Sequence, residues 1–268
     1  MIIARCEDIK KYFPVTRGYL QEKVGVVKAV DGVSLDINKG EVFGLVGESG
    51  CGKTTLGKII LGALKPDAGS VELSTTKLQA IFQDPYNSLD PKMKVFDILA
   101  EGLLLEWARM KVASRFRLRQ GFGGQAWLVA RVKETLELVK LPENALTKFP
   151  HQFSGGERQR IAIGRAILTE PELIVCDEPV SSLDVTIQLQ ILNLLKDIQK
   201  RFGITYLFIS HDLRVVKYMC GRVAVMRQGK IVEEGSAADV YTRPDHPYTK
   251  LLLSSVLDID LMKHGRVK

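Results

Sequence analysis

The period of the apolar positions changes several times along this chain. Residues 2–8 and roughly 24–37 carry alternating or apolar segments of β type, and Pro14 and Gly18 are expected to break the chain between them. "EVFGLVG", Glu41 to Gly47, is a short apolar run ending at glycine, the pattern of a buried strand. A helix is expected from Lys53 to about Ala63, stopped by Pro66, with short strands near 70–73 and 78–82 after it. From about Val95 to Leu146 the apolar residues fall at helical spacing, in "FDILAEGLLLEWARM" and "LVARVKETLELVKL", with "QGFGGQ" at 120–125 as an interrupting loop. This stretch reads as an inserted helical subdomain, at about 90–165.

Alternation then returns. A helix from about Gly155 to Leu168 leads to the strand "ELIVCDE", and a helix from Val185 to Arg201 leads to "ITYLFIS". Another helix is expected after His211, then the strands "RVAVMRQ" and "KIVEEG". Strands and helices in alternation imply an α/β fold with a largely parallel sheet covered by helices. No long linker, internal repeat or low-complexity tail is visible.

Composition narrows this only modestly. The 268 residues are 46% hydrophobic and 26% charged, ordinary for a soluble globular protein. The apolar runs are too short to span a bilayer, and the N-terminus has acids within its first ten residues and no apolar signal core, so a cytosolic chain is expected. Cys6, Cys51, Cys176 and Cys220 are scattered, without a CxxC pair, which favours reduced thiols over disulfides or zinc. The net charge of +7 is uneven: Trp107 to Lys133 holds seven basic residues and no acid. Such a stretch could meet nucleic acid, anionic lipid or an acidic partner, or be a solvated face.

The chemistry is concentrated elsewhere. "GESGCGKT", Gly47 to Thr54, fits G-x-x-x-x-G-K-[ST] between an expected strand and an expected helix. Glycines let backbone N–H groups wrap phosphate oxygens, and the helix N-terminus adds positive potential. The binding set is Gly47, Glu48, Ser49, Gly50, Cys51, Gly52, Lys53, Thr54 and Thr55, with Lys53 reaching the β- and γ-phosphates and Thr54 ligating Mg²⁺. "LIVCDE" puts Asp177 and Glu178 at the end of an apolar strand. Asp177 is placed to hold the Mg²⁺ shell, and Glu178 to polarise an attacking water. In "FSGGERQR", Ser154 is placed to cap a helix whose free N–H groups, with Gly155 and Gly156, suit a second anion.

In this order "GESGCGKT", Gln83 in "IFQDP", "FSGGE", "LIVCDE", "SSLD" and "ISHD" resemble the nucleotide-binding subunit of an ATP-binding cassette transporter, over roughly residues 3–256. The resemblance implies a P-loop NTPase fold, with an antiparallel β subdomain and an inserted α-helical one, a domain at 1–256 and a short tail at 257–268. It also implies an ATPase working as a head-to-tail dimer, in which Ser154, Gly155 and Gly156 of one subunit contact the γ-phosphate held by the other. Gln83 would touch Mg²⁺ or the attacking water, His211 the γ-phosphate, and Asp184 would lie at the dimer interface. Tyr12 would stack on adenine, with Phe13 as competitor. Catalytic roles fall to Glu178, His211 and Gln83, and the Mg²⁺ ligands are Thr54, Gln83 and Asp177. Glutamine is the commonest residue where this signature has Glu157, whose acid would face solvent or pair with Arg158 or Arg160.

"QDPYNSLDPKMKV", "YTRPDHPYTKLLLSSV" and "PVTRGYLQEKVGVVKAVDGVSL" resemble the peptide/nickel branch of importer ATPases. The expected function is to power import of oligopeptides or dipeptides from the cytoplasmic face of the membrane. The expected partners are a second ATP-binding subunit of related but distinct sequence, membrane permease subunits and, indirectly, an extracytoplasmic solute-binding protein. Basic residues near 107–133 would then face permease or lipid headgroups. An importer of nickel or another small solute is the alternative within the branch, and a soluble ATPase of nucleic acid or ribosomes the alternative outside it. Against the latter stand the single cassette and the absence of a long coiled coil before the signature, so nucleic acid is not an expected partner. No cysteine follows Cys220, and no iron–sulfur cluster is expected.

Overall fold

The structure, a computed structural model, describes residues 1–17, 22–84, 88–113 and 125–254. Two sheets organise it. Strands β1 (Ile2–Arg17), β2 (Glu22–Asn38) and β4 (Ala68–Leu73) form an antiparallel sheet in the order β2-β1-β4. The second sheet has the order β5-β6-β7-β3-β8-β9, from β3 (Val42–Val46), β5 (Leu78–Ile81), β6 (Leu173–Asp177), β7 (Thr205–Ser210), β8 (Arg222–Arg227) and β9 (Lys230–Ser236). Its strands are parallel except β9, which pairs antiparallel with β8.

The central strands are apolar on both faces, and each face fills a separate core. On one side Leu173, Val175, Leu207, Ile209 and Leu45 meet helix α1 (Lys53–Ile60) and the inner face of the antiparallel sheet, including Ile3, Ile9 and Val33. On the other, Ile174, Cys176, Tyr206 and Phe208 meet the helices α2 (Val95–Ala113), α3 (Gln125–Leu138), α4 (Gly155–Ile167) and α5 (Val185–Phe202). Alternate residues of one strand thus serve different layers, as a parallel sheet covered twice requires. Helix α6 (Leu213–Met219) packs on β3 and β7, α7 (Ala237–Thr242) follows β9, and a last helical run, α8, covers 247–254. Among the described residues no helix is long and apolar enough to cross a membrane.

Three local expectations differ from the structure. Pro14 does not break β1, because beyond the Lys10–Ala68 pair β1 has only β2 as a partner, and proline's missing N–H interrupts no second ladder there. Gly18 lies outside the described residues. Helix α1 stops at Ile60 rather than near Ala63: Gly62 turns left-handed, and the N–H groups of Leu61 to Leu64 return to carbonyls of residues 57–59. Helices α7 and α8 had no periodic signal, α7 being a single capped turn and a half after β9. Residues 120–124 of the "QGFGGQ" loop, the middle of the basic run (114–124) and the tail at 257–268 lie outside the described residues.

Candidate active site

Glycines 47 and 52 allow the turn between β3 and α1. Gly47 has φ 155°, and a Cβ there would lie 2.1 Å from the Met226 carbonyl oxygen. Gly52 has φ 111°, and its Cβ would lie 1.9 Å from the Ala29 oxygen. The loop is therefore wedged against β2 and β8 by contacts that no side chain permits. Gly52 caps α1 without a side chain, so the first-turn N–H groups are left for a ligand. Lys53 is 4% exposed, and its ammonium donates to the carbonyls of Gly47 and Glu48, both at 2.8 Å. It is a buried cation held on loop carbonyls, which an anion can draw away.

Parallel pairing brings the acids to the same level. Asp177 ends β6 opposite Ile209 of β7, and the Thr54 hydroxyl donates to its carboxylate at 3.0 Å. Burial holds the Asp177 carboxyl above its ordinary range, and the neighbouring Glu178 adds to this, while the Thr54 hydrogen bond opposes it. Glu178 turns out of the strand with φ 50°, a conformation rarely taken by a non-glycine residue, fixed by its N–H donating to the Ile209 carbonyl. Its carboxylate lies 2.9 Å from Nδ1 of His211, which follows β7. That direct pairing of Glu178 and His211 was not foreseen from sequence; its signal is that both residues follow adjacent parallel strands.

One cavity of about 600 Å³ is lined by Gly47, Glu48, Ser49, Gly50, Gly52, Lys53, Thr54, Thr55, Gln83, Glu178 and His211, with Ala29 and Leu252. Cys51 is buried beneath it, and Asp177 reaches it through Thr54. The Gln83 carbonyl accepts from the Ser182 hydroxyl at 3.3 Å, tying this loop to "SSLD". Thr54, Gln83 and Asp177 supply hydroxyl, amide and carboxylate oxygens, a hard donor set that fits Mg²⁺. Among the described residues no three or more His, Cys, Asp or Glu group as a closed metal site. A cation shared between a few side chains and a phosphate matches that arrangement.

The signature residues do not line this cavity. Ser154 caps α4, and Asp184 caps the neighbouring α5. The two helix starts are pressed together: a Cβ on Gly156 would meet Ile187 at 2.5 Å, and one on Gly155 would meet Leu183 at 3.3 Å. Ser154 and Asp184 are exposed, so this second anion-compatible helix start faces outward. Glu157 is drawn back onto the helix start, with the positive charges of Lys148 and Arg160 near it. It closes a capping box, accepting from the Ser154 N–H at 2.9 Å and the Ser154 hydroxyl at 2.8 Å, because it occupies the third helical position. These bonds hold its carboxyl below the ordinary range.

Tyr12 and Phe13 are likewise outside the lining. The Tyr12 hydroxyl donates to Asp31, and Lys28 stands 5.5 Å from the ring centroid. Phe13 is 39% exposed beside Lys11.

Asp177→Asn separates stability from chemistry. An acid whose folded pKa is raised destabilises the fold as pH climbs from its ordinary value through the raised one, so at neutral pH the ionised form carries a cost. Asparagine keeps an acceptor for Thr54 without the charge. The variant should be more stable without nucleotide by about 1 kcal/mol in urea unfolding, yet should lose hydrolysis. Lower stability would show that the Thr54 bond outweighs the burial of charge.

The sequence model described as ABC transporter matches residues 30–181. The model described as oligopeptide/dipeptide transporter, C-terminal region, matches residues 232–268. A Brucella ovis protein named for peptide import and ATP binding is 46% identical over 253 residues, 89% of this chain and 75% of its own length. The oligopeptide transport ATP-binding protein OppF of Lactococcus lactis is 42% identical over 278 residues, 98% of this chain and 83% of its own. Among solved structures, a dimeric ATP-binding cassette in a post-hydrolysis state with ADP and phosphate has a TM-score of 0.70 and 25% identity, covering 88% of this chain and 99% of that one.

Proposed function

The chain belongs to the ABC transporter family, and from that premise we propose that it is the ATP-hydrolysing subunit of an importer for oligopeptides or dipeptides. The observation that carries the reading is the single cavity joining the phosphate loop, Gln83, Glu178 and His211. The peptide assignment is supported by relatives named for peptide import and by the C-terminal match at 232–268.

In the proposed reaction the backbone of residues 47–52 and the start of α1 bind the phosphates. Lys53 leaves the carbonyls of Gly47 and Glu48 for the β- and γ-phosphate oxygens. Thr54, Gln83 and Asp177 would hold Mg²⁺, which supplies charge neutralisation at the phosphate oxygens when bound. Glu178 takes a proton from the water that attacks the γ-phosphorus in line, the bond from that phosphorus to the β–γ bridging oxygen breaks so that ADP and inorganic phosphate leave, and His211 exchanges its Glu178 contact for the γ-phosphate. Tyr12, or Phe13 beside it, is the proposed platform for adenine.

The exposure of Ser154 and Gly155 supports the action of the Ser154–Gly156 turn on nucleotide held by a second cassette, with the exposed Asp184 beside that interface. The Ser154 hydroxyl would then turn from Glu157 to the phosphate. We propose a cassette at 1–256 with helices inserted at about 90–165, a tail at 257–268, and a peripheral position on the cytoplasmic face of the membrane. A related ATPase and permease subunits would complete the complex, served by an extracytoplasmic receptor.

The test is uptake into vesicles carrying the assembled transporter, with labelled oligopeptide or ⁶³Ni²⁺ offered outside and ATP inside. ATP-dependent peptide uptake that is lost with Glu178→Gln in this subunit is the expected result. Uptake of nickel alone would replace the peptide assignment, and uptake insensitive to the variant would contradict the reading.

A further inference from the structure

The stretch "HPYTK" is not used by the site as described, yet it reaches the phosphate loop. Tyr248, at the start of α8, is 3% exposed, and its hydroxyl oxygen accepts the Glu48 N–H at 3.2 Å. The carbonyl of the same Glu48 accepts from the Lys53 ammonium at 2.8 Å. One residue of the loop is thus gripped on both sides, by a tyrosine 200 positions later in sequence and by the lysine that must reach phosphate. Further along α8, Leu252 lines the nucleotide cavity itself.

Tyr248 is in turn held from several directions. The Glu233 carboxylate on β9 accepts the N–H groups of Asp245 at 2.9 Å and His246 at 3.0 Å, fixing the turn before α8. His246 Nδ1 accepts the Tyr248 N–H at 3.1 Å, which places the imidazole proton on Nε2. The Arg227 guanidinium stands 4.7 Å from the Tyr248 ring centroid. A buried ring with this many constraints is a rigid support, and its oxygen meets the loop backbone at the Glu48 N–H.

Resting on the nucleotide reading above, we infer that Tyr248 is a positioning residue for ATP binding: through the Glu48 N–H it fixes the phosphate loop in the shape that receives phosphate, and Glu233 and His246 set its place. The chemistry stays with Lys53, Thr54 and Glu178. Tyr248 contributes by removing freedom from the loop before the ligand arrives, which strengthens binding without altering the chemical step. It also makes the C-terminal segment a mechanical extension of the nucleotide site.

The test compares the full-length chain, Tyr248→Phe, Glu233→Gln, the double variant and Lys53→Ala, using a fluorescent ATP analogue for affinity, single-turnover hydrolysis at saturating ATP, and thermal unfolding without nucleotide. Phenylalanine keeps the buried ring and deletes only the acceptor, so the apo unfolding temperature should stay near wild type. Affinity should fall about five- to tenfold, while the saturated hydrolysis rate should not change. Glu233→Gln should weaken binding less, and the double variant no further than Tyr248→Phe, because both act through the same bond. Wild-type affinity in Tyr248→Phe, or a loss that appears in the saturated rate instead, would overturn the inference alone. A wild-type chain that binds no nucleotide, or Lys53→Ala binding as well as wild type, would overturn the reading on which it rests.

Discussion

Glu178→Gln is expected to lower ATP turnover about 10²- to 10⁴-fold while ATP binding survives. The substitution removes the proton acceptor but keeps the side-chain shape and an oxygen that can accept from His211 Nδ1, where the carboxylate now lies at 2.9 Å. The phosphate contacts sit on a different segment, the loop and α1, and are not altered. The left-handed backbone at residue 178, with φ 50°, is as demanding for glutamine as for glutamate, so the geometry should be retained. Steady-state phosphate release and equilibrium ATP binding, measured on one preparation, separate the two effects. Wild-type turnover would remove Glu178 from the chemistry, and loss of binding would place it among the phosphate contacts.

Lys53→Ala should act on the opposite quantity, weakening ATP binding by about 10²-fold or more. A charge-assisted contact to phosphate is lost, and no neighbouring cation lines the cavity to replace it among the residues described there. The same change leaves the buried carbonyl of Gly47 and the part-buried one of Glu48 without their donor, at a cost of about 1–3 kcal/mol in stability. Lys53→Met separates these contributions from the loss of volume, since it refills the stem without the charge. Calorimetric titration with ATP and urea unfolding without it would read the two losses independently. Unchanged affinity would mean that the lysine only braces the loop.

Much of this site was legible before the coordinates because its parts are local in sequence and their spacing is set by local physics. The glycine pattern of the loop at 47–54, the buried strand "LIVCD" ending in Asp177, and the cap at Ser154 each need only a few consecutive residues. What was not legible depends on register between distant strands. Glu178 meets His211 only because β6 and β7 pair in parallel with Asp177 opposite Ile209. Tyr248 meets Glu48 only because α8 returns to the edge of the loop. Pro14 was misjudged because its effect turns on whether a strand has a second neighbour, which no local pattern encodes. The capping box at Glu157 is local by contrast, its Ser-x-x-Glu spacing standing in "SGGE".

In the dimer we propose, Ser154, Gly155 and Gly156 clamp nucleotide held by another cassette. Light scattering on Glu178→Gln with and without ATP, alone and mixed with a related ATPase subunit, tests it most directly. ATP should double the mass either for Glu178→Gln alone or for its mixture with the related subunit, and Ser154→Arg should abolish the doubling while leaving ATP binding intact. ATP binding with no association under either condition would contradict it.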